Sequence, residues 1–429
     1  MTGDEASARI RTWFDAALAA VDPERAVVKH LAVSEGGILI SGQPFRDLGR
    51  IMVIAVGKAA VPMARAAEFV LGDRISGGIA LTKDGHAGGP PLQWIQTREA
   101  SHPIPDARGV AATTDILELL ADLTAADLVI ALISGGGSAL LEAPVEDVSL
   151  DDIAAITSLL LKAGAPIDHL NAVRIPLSRV KGGALRRAAA NTPFATLILS
   201  DVLGNDPSVI ASGPTVPGSA TGARALELLN RYGLSEHVPV AAVPALEHYD
   251  LVPVDASNDG LEIIADNRTA VDAFAKSARA DGERVSIVWS DSQGEARILA
   301  REWIARVSQE TEASLLLGGG EATVTVQGNG EGGRNTEFAL AAALELEALG
   351  RTDWVVASLA TDGQDAVTGF AGAIASSTTL ERSRAFGVNP EAALTDNDSV
   401  AVFRAAGGLV ETGPTGTNVN DIYVALRLT

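Results

Sequence analysis

The stretch Leu128-Val129-Ile130-Ala131-Leu132-Ile133-Ser134-Gly135-Gly136-Gly137-Ser138-Ala139 constrains the fold more than any other part of the chain. Six apolar residues in succession suit a strand buried on both faces, as in a parallel sheet covered by helices. The three glycines place no side chain between their backbone N–H groups and whatever lies above them, and Ser134 and Ser138 add hydroxyl donors. A helix starting near Ala139 would point its positive end at the same spot. The stretch reads as a turn that holds an anion; a glycine triplet that merely tightens a turn is the alternative.

The same grammar recurs along the chain. Ile51-Met52-Val53-Ile54-Ala55-Val56 runs into Gly57-Lys58 and an alanine-rich helix to about Leu71, and Thr196-Leu197-Ile198-Leu199 runs into Ser200-Asp201. Further on, Val285-Ser286-Ile287-Val288-Trp289 precedes Ser290-Asp291, Leu315-Leu316-Leu317 precedes Gly318-Gly319-Gly320-Glu321, and the apolar run from Trp354 to Ala360 precedes Thr361-Asp362. Ligands of open parallel sheets bind outside the carboxyl ends of the strands. A chain of 429 residues also exceeds one ordinary hydrophobic core. The expectation is an α/β protein of two α/β domains, with mainly parallel sheets facing an interdomain cleft. Residues 1–235 form the first and residues 236–429 the second, elements of the first being allowed to be discontinuous. Residues 218–259, rich in proline turns, are the expected linker. Ahead of all this, Ile10, Trp13, Phe14, Ala17, Leu18 and Val21 fall on one face of an N-terminal helix.

A formal charge of −21 argues against nucleic acid or an anionic membrane as partner. If the substrate is itself an anion, cations must gather locally. Arg174, Arg179 and Lys181 punctuate a stretch broken by Pro176 and Gly182-Gly183, and are candidates for that cluster; Arg186 and Arg187 read as an exposed helical face. Lys58 and Arg334 each follow glycine at a helix start, where a cation opposes the dipole by several tenths of a kcal/mol, roughly. Each either points into solvent or shares an anion with the amide groups. Asp201, just past a strand end, suits a magnesium or substrate ligand, or a helix cap. His102, in Ser101-His102-Pro103, could touch substrate or bond to backbone.

Other chemistries are excluded by what the sequence lacks. Without cysteine there is no disulfide, thiolate metal site or cysteine nucleophile. No G-x-x-x-x-G-K-[ST] loop, protein-kinase signature, hydrolase elbow or close histidine pair occurs. Gly328-Asn329-Gly330-Glu331-Gly332-Gly333 matches G-x-G-x-x-G, but its preceding residues alternate like a half-exposed strand and the expected downstream acid is missing. An acidic N-terminus with no apolar run behind it and no membrane-length apolar stretch lead to the expectation of a cytoplasmic protein.

Taken together, the motifs resemble a known family over nearly the whole chain. Ala55-Val56-Gly57-Lys58-Ala59, Ser101-His102-Pro103, Ser134-Gly135-Gly136-Gly137-Ser138-Ala139, Asn171 with Arg174, Ser178-Arg179-Val180-Lys181-Gly182-Gly183, Ser200-Asp201-Val202 with Gly204, Ala211-Ser212-Gly213-Pro214-Thr215, Gly318-Gly319-Gly320-Glu321, Gly333-Arg334-Asn335 and Ala360-Thr361-Asp362-Gly363 are similar to the glycerate 2-kinases, whose C-terminal half is called the MOFRL domain. The resemblance implies phosphorylation of D-glycerate to 2-phosphoglycerate with ATP and Mg2+. Some members carry the label hydroxypyruvate reductase, so an NAD(P)H-dependent reductase is the alternative. By the same resemblance Lys58 and Arg334 are the leading catalytic positions. Asp201 and Asp362 would divide magnesium binding and acceptance of the hydroxyl proton between them. Residues Ser134, Gly135, Gly136, Gly137, Ser138 and Ala139 would wrap the nucleotide phosphates, while Arg174, Arg179, Lys181, His102 and Asn335 would complete substrate and nucleotide binding. The expected partners are small molecules only, and self-association as a homo-oligomer is left open.

Overall fold

The structure is a computed structural model that describes residues 1–250, 259–366 and 369–428. Residues 251–258 of the expected linker lie outside the described residues. The chain divides into two compact units, one of residues 23–264 and a discontinuous one of residues 1–22 with 265–429. This differs from a boundary after residue 235, because the strand Gly260–Ala265 joins the sheet of the 23–264 unit and the N-terminal helix belongs to the other. Gly3–Ala20 buries Ile10, Trp13, Phe14 and Ala17, the face read from the sequence, against the helix Asn267–Ala280. Trp13 meets Phe274 edge-on at 5.8 Å, and its indole N–H donates to Asp281 Oδ2 at 2.8 Å.

In the 23–264 unit, six strands are ordered Gln96–Ala100, Ile75–Lys83, Ile51–Val56, Leu128–Ile133, Phe194–Leu199 and Gly260–Ala265. The pairings from Gln96–Ala100 through Phe194–Leu199 are all parallel. Strands Ile51–Val56, Leu128–Ile133 and Phe194–Leu199 are buried at every residue, which is why each is a continuous apolar run. Met52, Ile54 and Val56 share one core with Ile116, Leu117 and Leu120 of the helix Ala107–Ala121. A smaller helical core, built on Ile156, Leu160, Val173 and Leu228, carries the helix Ile167–Arg174.

The other unit's sheet is not mainly parallel. Its order is Val285–Glu295, Leu315–Thr323, Asp421–Arg427, Trp354–Ala360, Gly372–Ser376 and Leu409–Val410, and only the first pair is parallel. Gly318-Gly319-Gly320 does not end a strand but lies inside Leu315–Thr323. A Cβ on Gly319 would fall 1.8 Å from Asn267 Oδ1, so the glycine lets that amide lie on the strand and donate to the carbonyls of Val419 and Asp421 at 2.8 and 3.0 Å. The helix Arg334–Ala348 is buried almost all round, and Phe338 stacks on Tyr423 at 4.5 Å between ring centres.

Phe338 is fully buried, so Phe338→Ala is expected to cost about 3–5 kcal/mol of stability, read as a lower urea midpoint with an unchanged slope. An unchanged midpoint would contradict this packing.

Candidate functional site

The glycine turn is tied to its neighbouring strand before it is free to do anything else. Ser134 N–H donates to the Val56 carbonyl at 2.9 Å, and its hydroxyl donates to the same oxygen at 3.3 Å while accepting from Ala59 N–H at 3.1 Å. Lys58 N–H donates to the Gly135 carbonyl at 2.9 Å. The Ser134 hydroxyl is therefore a pin in the fold and not a ligand donor. The helix that follows, Gly137–Leu140, is a single turn, so a long helix dipole does not add to the site as the sequence suggests.

What the turn leaves open is backbone. Among the described residues, no acceptor takes the N–H of Gly135, Gly136, Gly137 or Ser138. Chemically capable side chains fill the spaces where Cβ atoms would be. A Cβ on Gly135 would fall 2.0 Å from Asp201 Oδ2. Gly136 has φ +86°, and a Cβ there would lie 3.2 Å from the His102 ring and 3.3 Å from Lys58 Cγ. Ser138 Oγ lies 2.8 Å from Ser212 Oγ, whose hydroxyl donates to Asn171 Oδ1 at 3.1 Å. Lys58, Asp201 and His102 are thus brought to one loop, as the sequence motifs suggest.

Lys58 forms no ion pair among the described residues. His86, which the sequence reading does not single out, lies with Nδ1 3.1 Å from the Lys58 carbonyl and so holds that turn. Burial, reinforced by the positive charges of Lys58, Lys83 and His86, pushes His102 down to about 4. It is therefore a neutral ring near pH 7, able to donate at one nitrogen and accept at the other.

The basic cluster after the loop is placed differently from expectation. Lys181 is buried, with Nζ donating to the carbonyls of Ser138 at 2.8 Å and Leu141 at 3.2 Å. Arg174 Nη2 also donates to the Ser138 carbonyl, at 3.2 Å. Both point at the underside of the turn, because Glu142, buried beside them, holds their charge there. Arg179 is exposed. Arg186 is not on an exposed face: it is buried and paired to Asp259 at 2.6 Å.

In the other unit the cation after glycine already has partners. Arg334 lies 2.8 Å from Asp421 through Nε and donates to Asp421 Oδ1 through Nη2 at 3.0 Å, with Glu321 at 2.9 Å. The N-terminus of its helix is likewise occupied. Asp365 accepts from the N–H groups of Asn335 at 2.9 Å and Thr336 at 2.8 Å, so a carboxylate of the chain stands where the sequence reading allows a ligand anion. Asn335 is buried; its Nδ2 donates to Asp421 at 3.0 Å and its Oδ1 accepts from Ser358. Burial would lower the Arg334 pKa, but Asp421, Glu321 and Asp362 outweigh it and hold the guanidinium charged. Asp421 has no exposure at all, and burial pushes its carboxyl up to about 7 despite Arg334 and Asn335. The asymmetry follows from exposure, since the Arg334 side chain keeps 27% of its surface. Asp362 accepts from Gln364 N–H at 2.9 Å. Glu321, Asp365 and Asp421 come from 13 to 87 positions away, which is why motif reading gave them no role.

The G-x-G-x-x-G stretch offers no cradle for a dinucleotide. The N–H groups of Gln327, Gly328, Asn329 and Glu331 are taken by side-chain oxygens of Asn397, Asp396 and Asp398.

Residues 9–247 match a family described as a domain of unknown function (DUF4147), and residues 314–421 match the MOFRL family. The chain is 40% identical to the D-glycerate 2-kinase of Thermotoga maritima over 95% of both proteins. It is 38% identical to the glycerate 2-kinase of Pyrococcus horikoshii over 96% of this chain and 94% of that one. An Agrobacterium vitis protein with the provisional name hydroxypyruvate reductase is 40% identical over 99% of this chain and 96% of that one. The crystal structure of the Thermotoga maritima glycerate kinase superposes with a TM-score of 0.89 at 37% identity, covering 99% of this chain and all of that one.

His102 is expected to titrate near 4 by NMR, well below the ordinary 6.5, and Lys58→Met is expected to raise its midpoint by removing a positive neighbour. Because the folded pKa is depressed, the unfolded chain binds more protons between about 6.5 and 4, so this group lowers stability as pH falls through that window. A midpoint at 6.5 in both proteins would contradict the placement.

Proposed function

The chain belongs to the glycerate 2-kinase family, and from that premise we propose how its own residues transfer a phosphoryl group from ATP to the 2-hydroxyl of D-glycerate, giving 2-phosphoglycerate. The observation that carries the reading is the row of unspent N–H groups from Gly135 to Ser138 beside an ion-unpaired Lys58. Phosphoryl transfer spreads charge over the equatorial oxygens, so fixed donors and cations matter more than a protein nucleophile.

The N–H row holds the nucleotide phosphates, and Lys58 reaches the transferred group. Arg334, fixed by Asp421, is suited to the acid's carboxylate. The 2-hydroxyl oxygen bonds to the γ-phosphorus as the bond to the ADP oxygen breaks, and the hydroxyl proton passes to Asp201 or Asp362. His102 contributes a neutral hydrogen-bonding ring.

Mg2+ fits the donors present. No group of three or more potential ligand side chains gathers among the described residues, and Mg2+ commonly uses one or two carboxylates with substrate phosphates and water. Asp201, against Gly135, would hold it on the phosphate loop, with Asp362 as the other candidate. Bound there, the ion would neutralise phosphate charge.

The reductase reading is weaker, since the only dinucleotide-like motif spends its N–H groups on neighbouring side chains. Among the described residues no helix is long and apolar enough to cross a membrane.

Incubation with ATP, Mg2+ and D-glycerate is expected to give 2-phosphoglycerate by phosphorus NMR, and EDTA is expected to stop turnover. Lys58→Ala is expected to lower kcat by about 100-fold or more without altering thermal unfolding. Full turnover by Lys58→Ala, or phosphorylation at carbon 3, would overturn the assignment.

A further inference from the structure

A buried charge cluster under the glycine turn is used by no step above. Glu142 and Lys181 each keep 1% of their side-chain surface and Arg174 keeps 12%. Lys181 Nζ lies 3.2 Å and Arg174 Nη2 3.8 Å from Glu142 Oε2. That oxygen accepts no well-aimed hydrogen bond, although Oε1 accepts from the Ser178 hydroxyl at 2.6 Å. No other carboxylate pairs with either cation among the described residues. Fully ionised, the cluster holds two positive charges against one negative. A buried excess charge of this kind is unfavourable unless something offsets it.

Both cations spend a donor on one atom, the Ser138 carbonyl, and Lys181 adds the Leu141 carbonyl. Ser138 is the last residue of the unspent N–H row. Lys181, sealed from solvent, has no path to touch a ligand itself.

We propose that Lys181 and Arg174, held against Glu142, are positioning residues that fix Ser138 and keep an uncompensated positive charge behind the loop, for which a bound nucleotide polyphosphate is the counter-charge. This rests on the reading that the loop holds the phosphates of ATP. The groups facing Lys181 are Glu142, Arg174, the hydroxyl of Ser178 through Glu142, and the two carbonyls. Burial lowers Lys181 to about 8, partly offset by Glu142. An anion bound in front favours the charged lysine. Binding above that pH therefore takes up a proton, and affinity falls as pH rises.

The test is calorimetric titration of the full-length protein with ADP and Mg2+ at pH 7.5 and 9.5, in buffers of low and high ionisation enthalpy. The expected result is about a tenfold or greater loss of affinity at the higher pH, with net proton uptake. Lys181→Met is expected to bind more weakly at pH 7.5 and to lose the pH dependence. Glu142→Gln removes an attraction that supports the charged lysine, so its loss of affinity is expected to begin at lower pH. Equal wild-type affinity at both values without proton uptake overturns the proposal, whether or not the variants fold, as does a Lys181→Met protein that keeps the wild-type pH response. Gly136→Val separates the two readings. If it binds ADP like the wild type, the loop is not the phosphate site; if it loses binding while wild-type affinity ignores pH, only the role of the buried cluster fails.

Discussion

Four consecutive backbone N–H groups, from Gly135 to Ser138, are kept out of every internal hydrogen bond among the described residues, and the rest of the site is built around that fact. Unpaired polar groups are costly away from water, and native chains keep few of them without a purpose. Here the surrounding structure holds the four N–H groups away from any internal acceptor among the described residues. Ser134 and the Gly135 carbonyl tie the turn to the strand Ile51–Val56 and to Lys58, while Asp201 and His102 occupy the spaces that side chains on Gly135 and Gly136 would need. A molecule of formal charge −21 repels anions at long range, so affinity for one must come from such short-range, fixed donors.

Lys58 and Arg334 follow the same local pattern, a cation after glycine at a helix start, yet the fold treats them oppositely. Among the described residues Lys58 has no ion partner, and it lies beside the glycine turn. Arg334 is gripped by a wholly buried Asp421 and by Glu321, and its helix N-terminus is filled by Asp365. A guanidinium offers five donors in a fixed fork, so it can be held on one side and still present its remaining N–H groups on the other. An ammonium on a flexible stem is better left free to follow a group that moves in the reaction. The buried Asp421 shows the cost of such a clamp, since its carboxyl is pushed up to about 7 even with Arg334 in contact.

The sequence carried much of this, and the parts it did not carry share a physical cause. The apolar runs at 51–56 and 128–133 were legible because strands buried on both faces need no alternation, and Lys58, His102 and Asp201 were legible because each sits directly at a strand end or loop. Strand direction in the second sheet was not legible, because a doubly covered antiparallel strand such as Trp354–Ala360 reads as the same apolar run as a parallel one. Glycine and proline near Lys181 and Arg174 signal irregular backbone, which suits a ligand-facing cluster, but irregularity says nothing of which side a side chain takes. Glu142, which turns them under the loop, lies 39 positions before Lys181 in sequence only, and 3.2 Å from it in space. The docking of the N-terminal helix on Asn267–Ala280 was invisible for a similar reason: its apolar face was plain, but nothing local names the surface that covers it.

The most direct measurement is a crystal structure of the protein with a non-hydrolysable ATP analogue and Mg2+. The account predicts phosphate oxygens within about 3 Å of the N–H groups of the Gly135 to Ser138 turn, with Lys58 Nζ on the terminal phosphate and Lys181 still under the Ser138 carbonyl. Phosphates seated elsewhere, with those four N–H groups bound only to water, would contradict it.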